Sequence, residues 1–152
     1  FEANAYCRWA GRRLPSEAEW EFAATMRPND SSGLDKFAYP WGDDDPTPEH
    51  ANLDGFALGC IDTAACATGD NAWGCRQLIG NVWEWTSDTF LPFNGFAPDD
   101  YKEYSAPLFK DTKVLRGGAW TTRSRMINAN YRNYFGPNRN DVFAGFRTCS
   151  LD

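Results

Sequence analysis

The stretch YKEYS sets two phenols, Tyr101 and Tyr104, three positions apart in a loop rich in proline, glycine and rings. A phenol donates a hydrogen bond or a proton without being a strong metal ligand, so such a pair can serve acid–base work. The competing reading is two loop tyrosines packed on the domain. Further on, YRNYF brings Arg132, Asn133, Tyr134 and Phe135 together behind Tyr131. Ring faces suit a cationic group and an asparagine can fix a carboxylate or an imidazole. Asparagine-rich loops also satisfy their own backbone, and that alternative stays open. Arg123, Arg125, Arg132 and Arg139 surround this stretch in a chain of net charge -6. A local basic cluster in an acidic protein suits carboxylate recognition, with Arg132 and Arg139 the candidates and solvated surface arginine the alternative.

Metal-centred chemistry has little to build on. The five cysteines include no CxxC pair, and the only histidine is His50, in a polar, turn-rich stretch expected to be an exposed loop. Cys60, Cys66 and Cys75 with His50 form a weakly spaced candidate metal set, whereas structural zinc sites favour tighter spacing. Small thiols in a reduced, cytoplasmic setting are the default expectation. One histidine excludes a two- or three-histidine metal site within this chain. The negative charge argues against a nucleic-acid or polybasic membrane surface, and no apolar run is long enough to span a bilayer.

The elements that must position these residues are few. The chain of 152 residues suits one domain. Residues 2–10 follow a helical pattern with Gly11 as the stop. Ser16 and Glu19 form a capping box for a helix over Glu17–Thr25, with Trp20, Ala23 and Ala24 as its apolar stripe. NVWEWTS alternates as a strand, with Trp83 and Trp85 expected on the core side and Val82, Glu84 and Thr86 opposite. KVLRGGAW reads as a strand ending at a Gly-Gly break, and VFAGFRTCS as a closing strand. The segment MINANYRNYFGPNRND is expected to be irregular, as is most of 26–79. The class is therefore α+β: two early helices, short antiparallel strands and much irregular loop.

Five blocks carry a resemblance: AYCRWAGRRLPSEAEWEFAA, YPWGD, GNVWEWTSD, VLRGGAW and FAGFRTC. They stand in the order seen in the formylglycine-generating-enzyme-like (sulfatase-modifying factor) superfamily, over nearly the whole chain, which implies a modified C-type-lectin-like fold for residues 1–152. Sulfatase-activating members carry two cysteines at positions that match Thr122 and Ile127 here, so the resemblance implies no copper-binding dithiol. PFNGFAPDDYKEYSAPLF and YRNYFGPNRNDVFAGFR resemble the sulfoxide synthases of ergothioneine biosynthesis, and GDNAWGCRQLIG and FAGFRTC the related selenoneine-making branch. That likeness implies a C-terminal substrate-pocket domain of an Fe(II)- and O₂-dependent enzyme joining a cysteine-type thiol or a selenium donor to trimethylhistidine. The iron ligands would lie in a separate N-terminal helical domain, consistent with a chain that opens on FEANAYCRWAG, without Met and expected to be N-terminally truncated.

By the same likeness Tyr101 is the proton donor, with Tyr104 beside it. Asn133 and Tyr134 line the trimethylhistidine pocket, Tyr134 standing where relatives have Trp. Phe135 replaces an acid that helps hold the thiol in some members, leaving cysteine or a selenium donor as plausible as γ-glutamylcysteine. Some relatives hold calcium, which makes Asn81 and Glu84 candidate oxygen ligands. The alternatives are a non-catalytic lectin-like binding module and a formylglycine-generating oxidase.

Overall fold

The computed structural model describes residues 1–29, 32 and 35–151. Helix α1 covers Glu2–Trp9 and α2 covers Glu17–Thr25. Gly11 ends the first helix in the left-handed conformation, φ +63°, which glycine adopts without a Cβ clash. In α2 the capping box is complete: the Ser16 hydroxyl accepts from the Glu19 amide at 3.2 Å, and the Glu19 carboxylate accepts from the Ser16 amide at 2.8 Å. Both orphan donors at the helix start are thereby satisfied.

Four short strands follow: β1 (Trp83–Thr89), β2 (Lys113–Arg116), β3 (Asn133–Phe135) and β4 (Ala144–Gly145). They form one sheet of order β3-β2-β1-β4. The pairs β1–β2 and β2–β3 are antiparallel, as expected, but β4 lies parallel to β1. The closing strand expected over VFAGFRTCS shrinks to Ala144–Gly145 and an isolated bridge between Cys149 and Arg13. Arg147 turns out of the ladder between them to reach Glu84. The segment expected to be irregular contains β3, because Asn133–Phe135 finds a ladder partner along β2.

The core is built from α2 and irregular chain rather than from the sheet alone. Trp20, Ala24, Ala51, Leu53, Leu78, Ile79, Ile127 and Ala129 form its cluster, with Trp41 and Trp83 packed against it. Gly117 and Gly118, both at positive φ, end β2 as the Gly-Gly break requires. A side chain on Gly117 would meet the Leu78 carbonyl oxygen, so the backbones can approach only without a Cβ. Alternation along β1 holds, but its burial is reversed from expectation. Glu84 and Thr86 are buried, while Trp83 and Trp85 are half-buried. The reason is polar: Glu84 accepts from Trp20 Nε1 at 2.7 Å and pairs with Arg147 through both oxygens, at 2.6 and 2.7 Å. Among the described residues no helix is long and apolar enough to cross a membrane.

Candidate functional site

The loop between β1 and β2 is closed at its base by two backbone bonds, Phe90 N–H to the Thr112 carbonyl and Lys110 N–H to the Phe90 carbonyl. It carries Tyr101 and Tyr104 outward; the two are 67% and 68% exposed and their rings stack with centroids 6.0 Å apart. Phe90 anchors the loop from below, stacking on Tyr134 at 4.4 Å and on Phe109 at 5.2 Å. Burial pushes the Tyr134 phenol above its ordinary pKa, and the neighbouring Tyr104 and Tyr131 add to the shift. Tyr104, Tyr131 and Tyr134 thus share one neighbourhood.

Pairing along the edge strand β3 divides the remaining candidates. Asn133 lies opposite Leu115, Tyr134 opposite Val114 and Phe135 opposite Lys113. Paired residues share a face, so Asn133 and Phe135 project on one side of the sheet and Tyr134 on the other. The Asn133 side-chain oxygen accepts from the Tyr134 amide at 2.9 Å. Arg132 is engaged structurally. Its guanidinium grips both oxygens of Glu17, donates to the Leu91 carbonyl, and lies 4.3 Å from the Phe93 ring centroid. Arg139 lies over the Phe135 ring, 5.0 Å from its centroid, and pairs with Asp141, whose hydrogen bonds raise the Arg139 pKa. Arg123 donates to the Asp54 carbonyl on another part of the surface. The four arginines therefore do not converge on one anion site.

A surface cleft of ≈ 650 Å³ lies against the Lys113 face of the sheet, walled on one side by residues 1–4; Asn133, Tyr134, Phe135, Tyr101 and Tyr104 are not among its lining residues. Trp85, Ser87, Lys113, Arg139, Asn140 and Phe146 are among the residues that line it. Of these only Arg139 stands out in the sequence as a site residue. Lys113 and Ser87 look like ordinary strand residues, and no local signal marks them.

Asn81 and Glu84 do not suit calcium. The Asn81 side-chain oxygen accepts from the Ile61 amide and from Asn52, while its amide donates to Gln77 and to the Ile61 carbonyl. The carboxylate of Glu84 is taken by Arg147 and Trp20. A cation there would compete with a guanidinium already in place. His50 is half-buried and stacked on Trp41 at 4.8 Å, rather than fully exposed. Among the described residues no group of three or more His, Cys, Asp or Glu gathers as a metal site. The Thr122 hydroxyl accepts from the Ala119 amide and Ile127 is buried in the core, which leaves no dithiol there.

The family described as the sulfatase-modifying factor enzyme 1-like domain matches residues 1–150 of the chain. The chain is 43% identical over 148 residues to a hercynine oxygenase of Mycobacterium tuberculosis, covering 97% of this chain and 34% of that protein. It is 44% identical over 152 residues to the hercynine oxygenase of Mycolicibacterium thermoresistibile, with 97% and 33% covered. A formylglycine-generating enzyme of Streptomyces coelicolor is 36% identical over 141 residues, covering 84% of this chain and 42% of that protein. The chain thus spans about a third of the length of the hercynine oxygenases it matches. In fold it is similar to PvdO from Pseudomonas aeruginosa, with TM-score 0.64 and 24% identity over 96% of this chain and 57% of that one. Treponema denticola variable protein 1 gives TM-score 0.64 and 26% identity, with 90% and 46% covered.

Proposed function

Because the chain belongs to the sulfatase-modifying factor enzyme 1-like domain family, we propose that it forms the substrate-pocket part of an oxygenase acting on hercynine, the trimethylated histidine. The observation that carries this reading is the 40–44% identity to hercynine oxygenases across 97% of the chain. Thr122 and Ile127 at the dithiol positions argue against formylglycine formation. The reaction joins hercynine to a cysteine-type thiol or a selenium donor. For a thiol, the imidazole C–H and the S–H are replaced by a C–S bond and each hydrogen leaves to water. One O₂ supplies both the sulfoxide oxygen and the oxygen of that single water. Bound Fe(II) would supply the oxygen-activating chemistry, through ligands outside this chain.

The geometry supports distinct roles for this chain's own residues. Tyr101 and Tyr104 hold their phenols clear of the domain, where a substrate carried by another part of the protein can meet them. Asn133 and Phe135 share the Lys113 face of the sheet without lining the cleft, and Tyr134 backs the tyrosine loop. All described cysteines are free thiols, as a reduced cytoplasmic setting allows. The test is turnover by the full-length protein with Fe(II), O₂ and hercynine, offering cysteine, γ-glutamylcysteine and a selenium donor in separate reactions. Mass spectrometry should detect a C–S or C–Se product with at least one donor. Binding of hercynine without product from any donor would instead favour a lectin-like binding module.

A further inference from the structure

The register of β1 against β2 slips next to the cleft. Trp85 pairs with Leu115, yet Thr89 pairs with Lys113, so Thr86, Ser87 and Asp88 on one strand oppose a single residue on the other. Bulges of this kind re-aim side chains and recur beside functional sites. Here the bulge places Trp85, Thr86 and Ser87 on the cleft wall next to Lys113.

The charges lining the cleft are unequal in their partners. Arg13 is paired with Glu19 at 2.7 Å, and Arg139 with Asp141. Lys113 differs from both. Its ammonium donates to the Ser87 carbonyl at 2.9 Å and to the Thr89 hydroxyl at 3.2 Å, both neutral acceptors. Among the described residues no carboxylate lies within ion-pair distance of it. An ammonium has three donors, so one remains for a ligand. The lining acid, Glu2, is fully exposed to solvent and leaves this charge uncompensated. A half-buried cation held in place by neutral groups is stabilised by an incoming anion. A single uncompensated charge matches a monoanionic carboxylate better than a dianionic phosphate. The cleft's ≈ 650 Å³ falls in the range of about 300–1,000 Å³ usual for small-molecule sites.

We propose that Lys113 anchors a carboxylate-binding site in this cleft, taking the carboxylate of a small amino-acid substrate, with Arg139 as the second donor. Asp141 occupies Nε and Nη2 of Arg139, whose Cζ lies 5.0 Å from the Phe135 ring centroid, which leaves Nη1 for the ligand. Trp85 also lines the cleft, and an indole ring suits the cationic end of such a zwitterion. The inference rests on the proposed function only for its choice of ligands, since hercynine and cysteine both carry this carboxylate.

Calorimetric titration of the full-length protein compares each acid with its amide: hercynine with hercynine amide, and cysteine with cysteinamide. One acid should bind about tenfold or more tightly than its amide, the equivalent of ~1.4 kcal/mol, and that acid identifies the source of the carboxylate. Lys113→Gln should erase the difference and Lys113→Arg should restore most of it, with thermal unfolding confirming that both variants are folded. In turnover, Lys113→Gln should raise KM for the same substrate with kcat within about threefold, the split expected for lost binding common to ground and transition states. Acids and amides bound equally by the unsubstituted protein, or a Lys113→Gln variant that keeps the difference, would overturn the site. An acid–amide difference dependent on Lys113, in a protein that turns nothing over, would support the site while removing the oxygenase reading.

Discussion

Replacing Glu84 by glutamine isolates the buried charge that ties α2, β1 and the C-terminal segment together. The Glu84 carboxylate, 7% exposed, accepts from Trp20 Nε1 and from Nε and Nη2 of Arg147. Burial alone would pull the Arg147 pKa down, yet the Glu84 charge and its hydrogen bonds hold it above its ordinary value. Glutamine keeps the shape but removes the charge, leaving a guanidinium inside with one amide oxygen to face. Breaking a buried pair from one side costs about 3–5 kcal/mol. The Arg147 side chain retains 26% exposure, so water recovers part of its solvation and the lower end applies, about 3 kcal/mol. At ~2–4 °C per kcal/mol for a domain of this size, the midpoint should fall by roughly 6–12 °C. Urea unfolding followed by tryptophan fluorescence gives the free energy, and a thermal scan by circular dichroism gives the midpoint. Glu84→Met combined with Arg147→Met should lose less than Glu84→Met alone, since no uncompensated charge is then left inside. A Glu84→Gln variant within about 0.5 kcal/mol of the parent, the range of an ordinary surface substitution, would refute the reasoning.

Three further outcomes are expected. Gly117→Ala should cost at least about 2 kcal/mol more than Gly95→Ala in urea unfolding, because both positions have positive φ but only Gly117 faces a carbonyl oxygen where its Cβ would go. Glu19 is held down to about 2, first by hydrogen bonds from Arg13 and then by the Ser16 amide. A depressed native pKa stabilises above the unfolded value of about 4.3, and that contribution is lost as pH falls toward 2. Its side chain is 45% exposed, so solvent screening limits the gain to about 1 kcal/mol. Glu19→Gln should therefore be less stable at pH 7, with the gap narrowing toward pH 2 in denaturation series. Tyr101→Phe in the full-length protein should cut C–S product formation by about 100-fold or more while hercynine affinity, read by titration, stays within about twofold; undiminished product would remove Tyr101 from the chemistry.

Much of the scaffold is legible in local sequence because local physics decides it. The Ser16–Glu19 capping box, the Gly11 stop and the Gly117–Gly118 break each depend on residues within a turn of one another. The five ordered blocks carry the family in the same way. Candidate site residues are legible as residue types only. YKEYS and YRNYF announce phenols, an amide and guanidiniums, but not what those groups touch.

What the tertiary structure alone decided is which side chains have partners. Alternation in NVWEWTS puts Glu84 opposite the tryptophans, but only Trp20, 64 residues away, and Arg147, 63 residues away, turn that side into the buried one. Arg132 looks free in sequence until Glu17, 115 residues distant, takes its guanidinium. Lys113 looks ordinary until the β1 bulge sets it on a cleft wall where, among the described residues, no carboxylate comes within ion-pair distance. Periodicity tells which residues share a face, because backbone geometry repeats along the chain. Whether a charge on that face is spent or available depends on what folds against it, which is a property of long-range contacts.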